Sequence, residues 1–197
     1  WVVFERADGD VGQRPALAIG RAHTPALPAE HLGRLPQVDQ VADGVRVAMR
    51  DAGITDTADV HFVQLKCPLL TAQRIGEAMS RGAVTATTDT LKSMGLSRAA
   101  STLGAAVALG EIDRGMLRDA DIATRWDLWS GRTSSSAGIE LLGHEIIVIG
   151  MSSAWSGPLA IDHAVMMDAI DIEPVRAALA RLGLSCPGKL PEAERGR

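Results

Sequence analysis

The chain has 197 residues, of which 46% are apolar, and its net charge at neutral pH is −4. This length and composition suffice for one hydrophobic core of ordinary domain size. Charges of both signs are scattered along the chain, which disfavours nucleic acid and anionic membranes as partners. No apolar run approaches the ~20 residues that span a bilayer, and the first residues show no secretory pattern. We therefore expect a soluble, cytoplasmic protein that binds small molecules.

Predicted strands and helices alternate in the first part of the chain. Residues 1–13 are interpreted as the remnant of a strand followed by a turn-rich linker, and residues 16–22 as the first strand of a domain. A proline-containing loop with one helical turn is expected over 24–36. The apolar residues between 38 and 49 recur at helical spacing, and Gly53 is placed to end that helix. This helix is expected to pack on a sheet.

The middle of the chain contains a second strand and two further helices. The β-type run 59–66 ends at Lys66, just before a Cys-Pro pair, so its ammonium group is expected where a strand gives way to a loop. A short helix with a threonine N-cap is predicted over 71–81. The segment 97–112 is apolar on nearly every side and predicts a buried helix. Arg98 carries a permanent charge near the start of that segment, which favours a ligand or a surface opposite it.

The last third of the chain predicts two strands and one helix. The β-type runs 133–142 and 145–151 are separated by a tight turn and are interpreted as a hairpin, with Ser136 on its first arm. A helix is predicted over 173–182, and the breaker-rich residues 186–197 are expected to be a disordered tail. The order of elements lacks a regular βαβ rhythm and a GxGxxG loop. It favours an α+β fold with a mixed β-sheet and helices packed on one face.

Three polar residues lie in segments otherwise built from apolar or small side chains: Lys66, Arg98 and Ser136. Ser136 precedes an Ala-Gly pair, so little bulk would block its hydroxyl or the neighbouring backbone N–H groups. A serine hydroxyl alone is a weak nucleophile at neutral pH, and a neutral lysine can act as its base. An arginine and backbone N–H groups can stabilise the oxyanion that forms when an amide carbonyl is attacked. These residue types are those needed to hydrolyse an amide.

Three motifs surround these candidate residues: Val-Gln-Leu-Lys-Cys-Pro-Leu-Leu-Thr (63–71), Ser-Met-Gly-Leu-Ser-Arg-Ala-Ala-Ser (93–101) and Ser-Ser-Ser-Ala-Gly-Ile-Glu (134–140). Together they resemble the cyanuric acid hydrolase and barbiturase family of ring-opening amidohydrolases. The resemblance implies one repeat unit of a pseudo-threefold enzyme, whose three domains each contribute a Lys, an Arg and a Ser to a site for a flat cyclic amide. It implies that Ser136 and Lys66 are catalytic. It also implies that Arg98 and the backbone at Ser136 and Ala137 bind the substrate.

The same resemblance divides the chain and suggests its function. Residues 14–164 are expected to be the middle domain, 1–13 a remnant of the preceding domain, and 165–197 the start of the third domain with its tail. The implied reaction is ring opening of cyanuric acid, or next of barbiturate, by a homo-oligomer that includes the missing N- and C-terminal domains. The chain alone is expected to be inactive.

We expect no cofactor and no metal ligand here, because the family's metal site falls in a C-terminal segment absent from this chain and the histidines share no ligand spacing. His61 is expected to be an ordinary sheet histidine.

Two other functions fit the same residues. One is a small-molecule-binding domain without turnover, and the other is an α+β domain that associates with itself. Each of the three residues also has an ordinary structural alternative. Lys66 can be a strand-end lysine that reaches solvent, and Arg98 can pair with Asp89 or Glu77. Ser136 can be a serine hydrogen-bonded to backbone, in which case Ser135 would be the nucleophile instead. Cys67 is expected to be structural, since no histidine lies near it in the sequence.

Overall fold

A four-stranded mixed sheet forms the centre of the computed structural model, which describes residues 3–5, 7–8, 14–184 and 188. The strands are β1 (Ala16–His23), β2 (Val60–Pro68), β3 (Thr133–Gly138) and β4 (Glu145–Ser152). Their order across the sheet is β1-β4-β2-β3. β4 runs antiparallel to both of its neighbours, whereas β2 and β3 run parallel.

Two long helices cover one face of this sheet. The helices are α1 (Leu35–Asp51), α2 (Ala72–Ser80), α3 (Thr90–Ala108) and α4 (Glu173–Arg181). α1 packs on β1 and β4, while α3 packs on β2 and β3 and against α1. The predicted α+β class, with a mixed sheet and helices on one face, is confirmed. Among the described residues, no helix is both long enough and apolar enough to cross a bilayer.

The main core lies between the sheet and the two long helices. Alternate residues of β1, β2 and β4 point toward the helices, as the twofold period of a strand requires, and these side chains are buried, whereas those of β3 are half-buried. The largest of these buried strand side chains are Val63, Leu65, Ile146 and Val148. At Gly20 of β1, an added Cβ atom would lie 2.0 Å from the carbonyl oxygen of Ala48, so the absence of a side chain lets α1 approach the strand directly.

Several local predictions are confirmed at the level of hydrogen bonds. The strand predicted over 16–22 and the helix predicted over 38–49 are both present. Gly53 adopts a φ of +63° just after α1, a conformation that glycine adopts without strain. The Thr71 side chain accepts a hydrogen bond of 3.3 Å from the backbone N–H of Arg74 and so caps α2.

The predicted hairpin between 133–142 and 145–151 is wrong. β2 lies between β3 and β4, and β3 pairs with β2 alone. β3 consists of small and polar residues that suit an edge strand, whereas β4 carries large apolar side chains on both faces and occupies a central position. The connecting segment crosses the end of the sheet, where the Leu142 carbonyl accepts a hydrogen bond from the Leu27 N–H.

Two element boundaries also differ from the predicted ones. α3 begins at Thr90, because the Asp89 carboxylate accepts a hydrogen bond from the Lys92 N–H and caps the helix. Arg98 therefore lies in the middle of α3 and not near its start. β2 continues through Pro68, so Lys66 lies two residues before the end of its strand. The predictions for residues 1–13 and for the tail from residue 186 fall almost entirely outside the described residues.

Candidate active site

Lys66 and Ser136 are direct neighbours on two parallel strands. The register of β2 and β3 pairs Lys66 with Ser136 and Leu65 with Ser135. Leu65 is buried against the helices, and the Ser135 hydroxyl lies 2.8 Å from the Thr102 hydroxyl of α3. Because side chains alternate along a strand, Lys66 and Ser136 share the opposite face, which the two long helices leave uncovered. We call this the open face of the sheet.

Glu140 extends the row of residues on the open face. The Lys66 Nζ atom lies 2.8 Å from Glu140 Oε1, and the Glu140 side chain is 56% exposed. The hydrogen bond from Lys66 lowers the pKa of the Glu140 carboxyl group. The intervening Gly138 makes room for this carboxylate, since an added Cβ atom would lie 2.0 Å from Glu140 Oε2. No role was predicted for Glu140, although its even spacing from Ser136 would place the two side chains on the same face of an extended strand.

Arg98 approaches β3 from α3. Its Nε atom donates a hydrogen bond of 3.1 Å to the backbone carbonyl of Ser135, which belongs to the peptide group joining Ser135 to Ser136. Arg98 therefore contacts the backbone beside the candidate nucleophile and is not paired with Asp89 or Glu77. The structure brings all three candidate residues to the β2–β3 pair, with Arg98 bound to the backbone of β3.

The neighbours of Ser136 contribute backbone groups more than side chains. Ala137 pairs with Cys67, so its methyl group belongs to the face that the helices cover. The Cys67 thiol donates a hydrogen bond of 3.2 Å to the Ser136 carbonyl. Cys67 is fully buried, and its burial raises the pKa of the thiol. A buried protonated thiol is a poor nucleophile, in agreement with its expected structural role.

Two clefts of the described residues have walls that do not include Lys66 or Ser136, although one of them reaches Ser134 and Ser135. A cleft of about 590 Å³ opens beside Arg98 and has walls that include Trp126 and Trp129. The larger cleft, of about 760 Å³, runs over β1 and β4. Neither cleft includes Lys66 or Ser136 among its lining residues. The Lys66 side chain is 36% exposed and Ser136 is half-buried, so the described residues leave the pair partly open to solvent.

One group of described residues has side chains spaced to hold a metal ion. It consists of His61, Asp162 and His163. His61 lies near the start of β2, at the opposite end of the strand from Lys66. The metal-ligand geometry is thus separate from the candidate catalytic pair.

The fold and the site together define an α+β domain with a serine and a lysine side by side on adjacent parallel strands. The family model described as amidohydrolase ring-opening protein matches residues 1–197, and the chain belongs to this family. Membership agrees with the motifs around Lys66, Arg98 and Ser136.

Curated relatives and solved structures support this membership. The chain is 62% identical over 201 residues to a cyanuric acid amidohydrolase of Bradyrhizobium sp. (strain ORS 375), covering 100% of this chain and 54% of that protein. It is 66% identical over 184 residues to a cyanuric acid amidohydrolase of Azorhizobium caulinodans, covering 93% of this chain and 52% of that protein. The crystal structure of the cyanuric acid hydrolase from A. caulinodans matches with a TM-score of 0.83 at 67% identity, covering 88% of this chain and 49% of that one.

A second solved cyanuric acid hydrolase matches with a TM-score of 0.81 at 46% identity, covering 91% of this chain and 49% of that chain. The chain thus spans about half the length of the curated relatives it matches.

Proposed function

We propose that this chain is part of an enzyme that opens the ring of a cyclic amide by hydrolysis, with cyanuric acid as the favoured substrate and barbiturate as the next. The observation that carries the proposal is the pairing of Lys66 with Ser136 on the open face of the sheet. Adjacent parallel strands lie about 4.8 Å apart, so the amine and the hydroxyl can meet around one reacting carbonyl. The names of the curated relatives supply the substrate.

In the proposed reaction, Ser136 is the nucleophile and Lys66 is its base. The Ser136 Oγ atom attacks a ring carbonyl carbon while the neutral amine of Lys66 takes the hydroxyl proton. The carbonyl electron pair moves onto its oxygen, which backbone N–H groups near Ala137 and an arginine stabilise by about 3 kcal/mol per donor. Collapse of this intermediate breaks the ring C–N bond, and Lys66 returns the proton to the departing nitrogen. Water then hydrolyses the ester on Ser136.

The ion pair between Lys66 and Glu140 bears on this role. In the structure the Lys66 amine is engaged by the Glu140 carboxylate 2.8 Å away, whereas as a base it must be free to take the proton of the Ser136 hydroxyl. The proposed reaction therefore requires this ion pair to open. The Glu140 side chain is more than half exposed and follows the end of β3, so a flat ligand arriving on the open face can displace it. We infer that Glu140 occupies part of the substrate position when no ligand is bound.

Exposed apolar surface also supports the proposed domain organisation, with residues 1–13 as a remnant of the preceding domain, 14–164 as the middle of three similar domains and 165–197 as the start of the next with its tail. Apolar side chains are strongly exposed, among them Trp126 at 87% and both Met167 and Ile170 at 88%. Exposed apolar surface of this kind is typical of a protein–protein or domain contact. Further domains, and other copies in a homo-oligomer, would supply the walls that enclose the substrate.

The decisive test is a ring-opening assay with cyanuric acid and barbituric acid on an enzyme that joins this chain to its neighbouring domains. Lys66→Ala and Ser136→Ala are expected to abolish turnover of the preferred ring. Ser134→Ala and Ser135→Ala are matched controls, because Ser134 lies one step back on the open face and Ser135 faces α3. Both controls are expected to retain most of the activity.

Two results would contradict the proposal. Turnover that survives both Lys66→Ala and Ser136→Ala would place the chemistry in another domain and leave this one as a binding wall. Loss of activity in Ser135→Ala but not in Ser136→Ala would transfer the nucleophile to the helix-facing serine. The 197-residue chain alone is expected to show no ring opening, and a measurable rate from it would disprove the need for further domains.

A further inference from the structure

Three side chains from distant parts of the sequence meet at the start of β2. The Nδ1 atoms of His61 and His163 lie 2.9 Å apart. The Asp162 Oδ1 atom lies 3.6 Å from the first of these nitrogens and 3.9 Å from the second. All three residues are partly or largely buried, and 100 residues of sequence separate His61 from the other two.

These three distances define a site of the size of a metal ion. The two Nδ1 atoms and Asp162 Oδ1 form a triangle whose three sides are these distances. The point in the plane of the triangle that is equally far from all three atoms lies about 2.0 Å from each. Zinc binds histidine nitrogen at about 2.0–2.1 Å and carboxylate oxygen at about 2.0–2.2 Å. An ion at or slightly above this point would contact all three atoms at normal bond lengths. A fourth position would remain open for water.

The fold holds each of these side chains in place. The register of β2 against β4 shifts between Val60 and Phe62, so His61 is the extra residue of a β-bulge. A bulge of this kind redirects a side chain and is common near functional sites. The bulge interrupts an otherwise regular central strand and gives the His61 side chain a direction that regular alternation would not give it. This observation does not depend on the distances between the three atoms.

Arg181 of α4 fixes the carboxylate. Its Nε atom donates to Asp162 Oδ2 at 2.7 Å and its Nη2 atom to Oδ1 at 3.1 Å, while the His163 N–H donates to Oδ1 at 2.7 Å. The same Arg181 nitrogen, Nη2, also donates to the His163 carbonyl at 3.0 Å. Oδ1 already accepts hydrogen bonds from the His163 N–H and from Arg181 Nη2, so a metal ion would replace the longer Nη2 contact there. The Nε bond to Oδ2 would remain as the outer hydrogen bond that holds the carboxylate.

The charges around the site are mixed. Arg132 and Arg181 lie near the two imidazoles and oppose a cation, whereas the carboxylates of Asp162, Asp59 and Glu111 favour one. A metal ion binds the neutral form of imidazole, so both rings must be unprotonated for binding.

We propose that His61 Nδ1, His163 Nδ1 and Asp162 Oδ1 bind one divalent cation of the zinc class. Two imidazoles and one carboxylate form a donor set typical of zinc. The site joins the start of β2 to the segment that follows β4, and through Arg181 it also joins α4 to the sheet. It lies five residues along β2 from Lys66, roughly 15 Å away, and so is distinct from the proposed hydrolytic pair.

The test is zinc binding by the purified chain, measured by competition with a chromophoric chelator. A Cys186→Ser background is used because the thiol of Cys186 would itself bind zinc. We expect one Zn²⁺ per chain. His163→Ala and Asp162→Asn are expected to weaken binding by at least about 100-fold, since loss of even an outer partner of a metal ligand costs 10–100-fold. His163 is 37% exposed on its side chain, so its replacement should leave the fold intact.

The matched control is His23→Ala, which removes a 66% exposed histidine paired with Glu145 but with no third ligand. This variant is expected to bind zinc as the parent does. A second measurement separates binding from folding: zinc should raise the midpoint of thermal unfolding of the parent and of His23→Ala, but not that of Asp162→Asn. The proposal would be overturned if the folded parent did not bind zinc. It would also be overturned if His163→Ala, Asp162→Asn and His23→Ala bound zinc with equal affinity. The two imidazoles would then form only a hydrogen bond with each other.

Discussion

A single buried histidine is expected to make folding stability depend on pH. His144 is 1% exposed and lies in a polar network within the core. Its Nδ1 atom lies 2.9 Å from the Thr24 hydroxyl, and its Nε2 atom lies 3.0 Å from the Gln37 amide nitrogen. The Gly33 N–H donates to Gln37 Oε1 at 2.7 Å, which orients the Gln37 NH₂ group toward the ring. The His144 ring is therefore neutral, with Nε2 as acceptor and the proton on Nδ1.

Protonation of His144 would disrupt this network. A second ring proton on Nε2 would face the NH₂ donor of Gln37, and the charge would be buried. Burial lowers the pKa of His144 from 6.5 to about 4. The unfolded chain therefore binds a proton more readily than the folded chain does. The stabilisation is fully present above about pH 6.5 and is lost as the pH falls toward 4.

The size of the effect follows from the two pKa values. The ordinary pKa of 6.5 and the folded-state pKa of about 4 correspond to a limit of about 3–4 kcal/mol, at about 1.4 kcal/mol per pKa unit. Between about pH 7.5 and about pH 5, roughly 2 kcal/mol of this is expected to be lost. That is a substantial part of the 5–15 kcal/mol that typically stabilises a domain.

Urea unfolding at these two pH values measures the prediction. His144→Gln keeps hydrogen-bonding capacity but does not titrate, so it should lose about 2 kcal/mol less than the parent on acidification, whatever its stability at pH 7.5. His61 and His163 titrate in both proteins and cancel in this comparison. His23→Gln, a change on the surface, serves as the control and should behave as the parent does. Equal losses in the parent and in His144→Gln would show that His144 does not cause the loss of stability in acid.

Two further predictions concern packing and reactivity. Gly104→Ala is expected to destabilise the chain by about 1–3 kcal/mol, because the new Cβ atom would lie 2.6 Å from the backbone oxygen of Val38 where α3 crosses α1. At Gly95 in the same helix, an added Cβ atom meets nothing within 4 Å, so Gly95→Ala should instead stabilise the chain by up to about 1 kcal/mol. Urea unfolding measures both changes in the free energy of unfolding, and changes of the same sign would contradict this account of the packing. In a Cys186→Ser background, Cys67 should resist a thiol reagent until the chain unfolds, and rapid labelling of the native chain would show that it is accessible.

Local patterns in the sequence predicted most of the elements and the chemical character of the candidate site. Helical spacing of apolar residues indicated α1, and alternation with β-type residues indicated β1 and β2. The start of α3 was missed because Thr and Gly residues have weak helix propensity, and the cap at Asp89 outweighed it. Lys66, Arg98 and Ser136 were identified as candidates because polar residues in apolar or small-residue segments are unusual.

The pairing of strands could not be predicted from local pattern. β3 and β4 are neighbours in sequence, yet β2 lies between them, because the apolar residues of β4 are buried best at a central position and the small residues of β3 fit an edge. That choice places Ser136 beside Lys66 in parallel register and gives Glu140 its contact with the lysine.

Local sequence pattern was thus sufficient to predict the fold class, most element types and the residues from which a serine–lysine site could be built. Which of these residues meet depends on the packing of the whole chain. His61 and His163 share no ligand spacing in the sequence, and their rings come together because the chain returns to the start of β2 after completing β4. The physical reason is that periodicity and capping act within a few residues, whereas strand order and long-range side-chain contacts depend on how the whole core is buried.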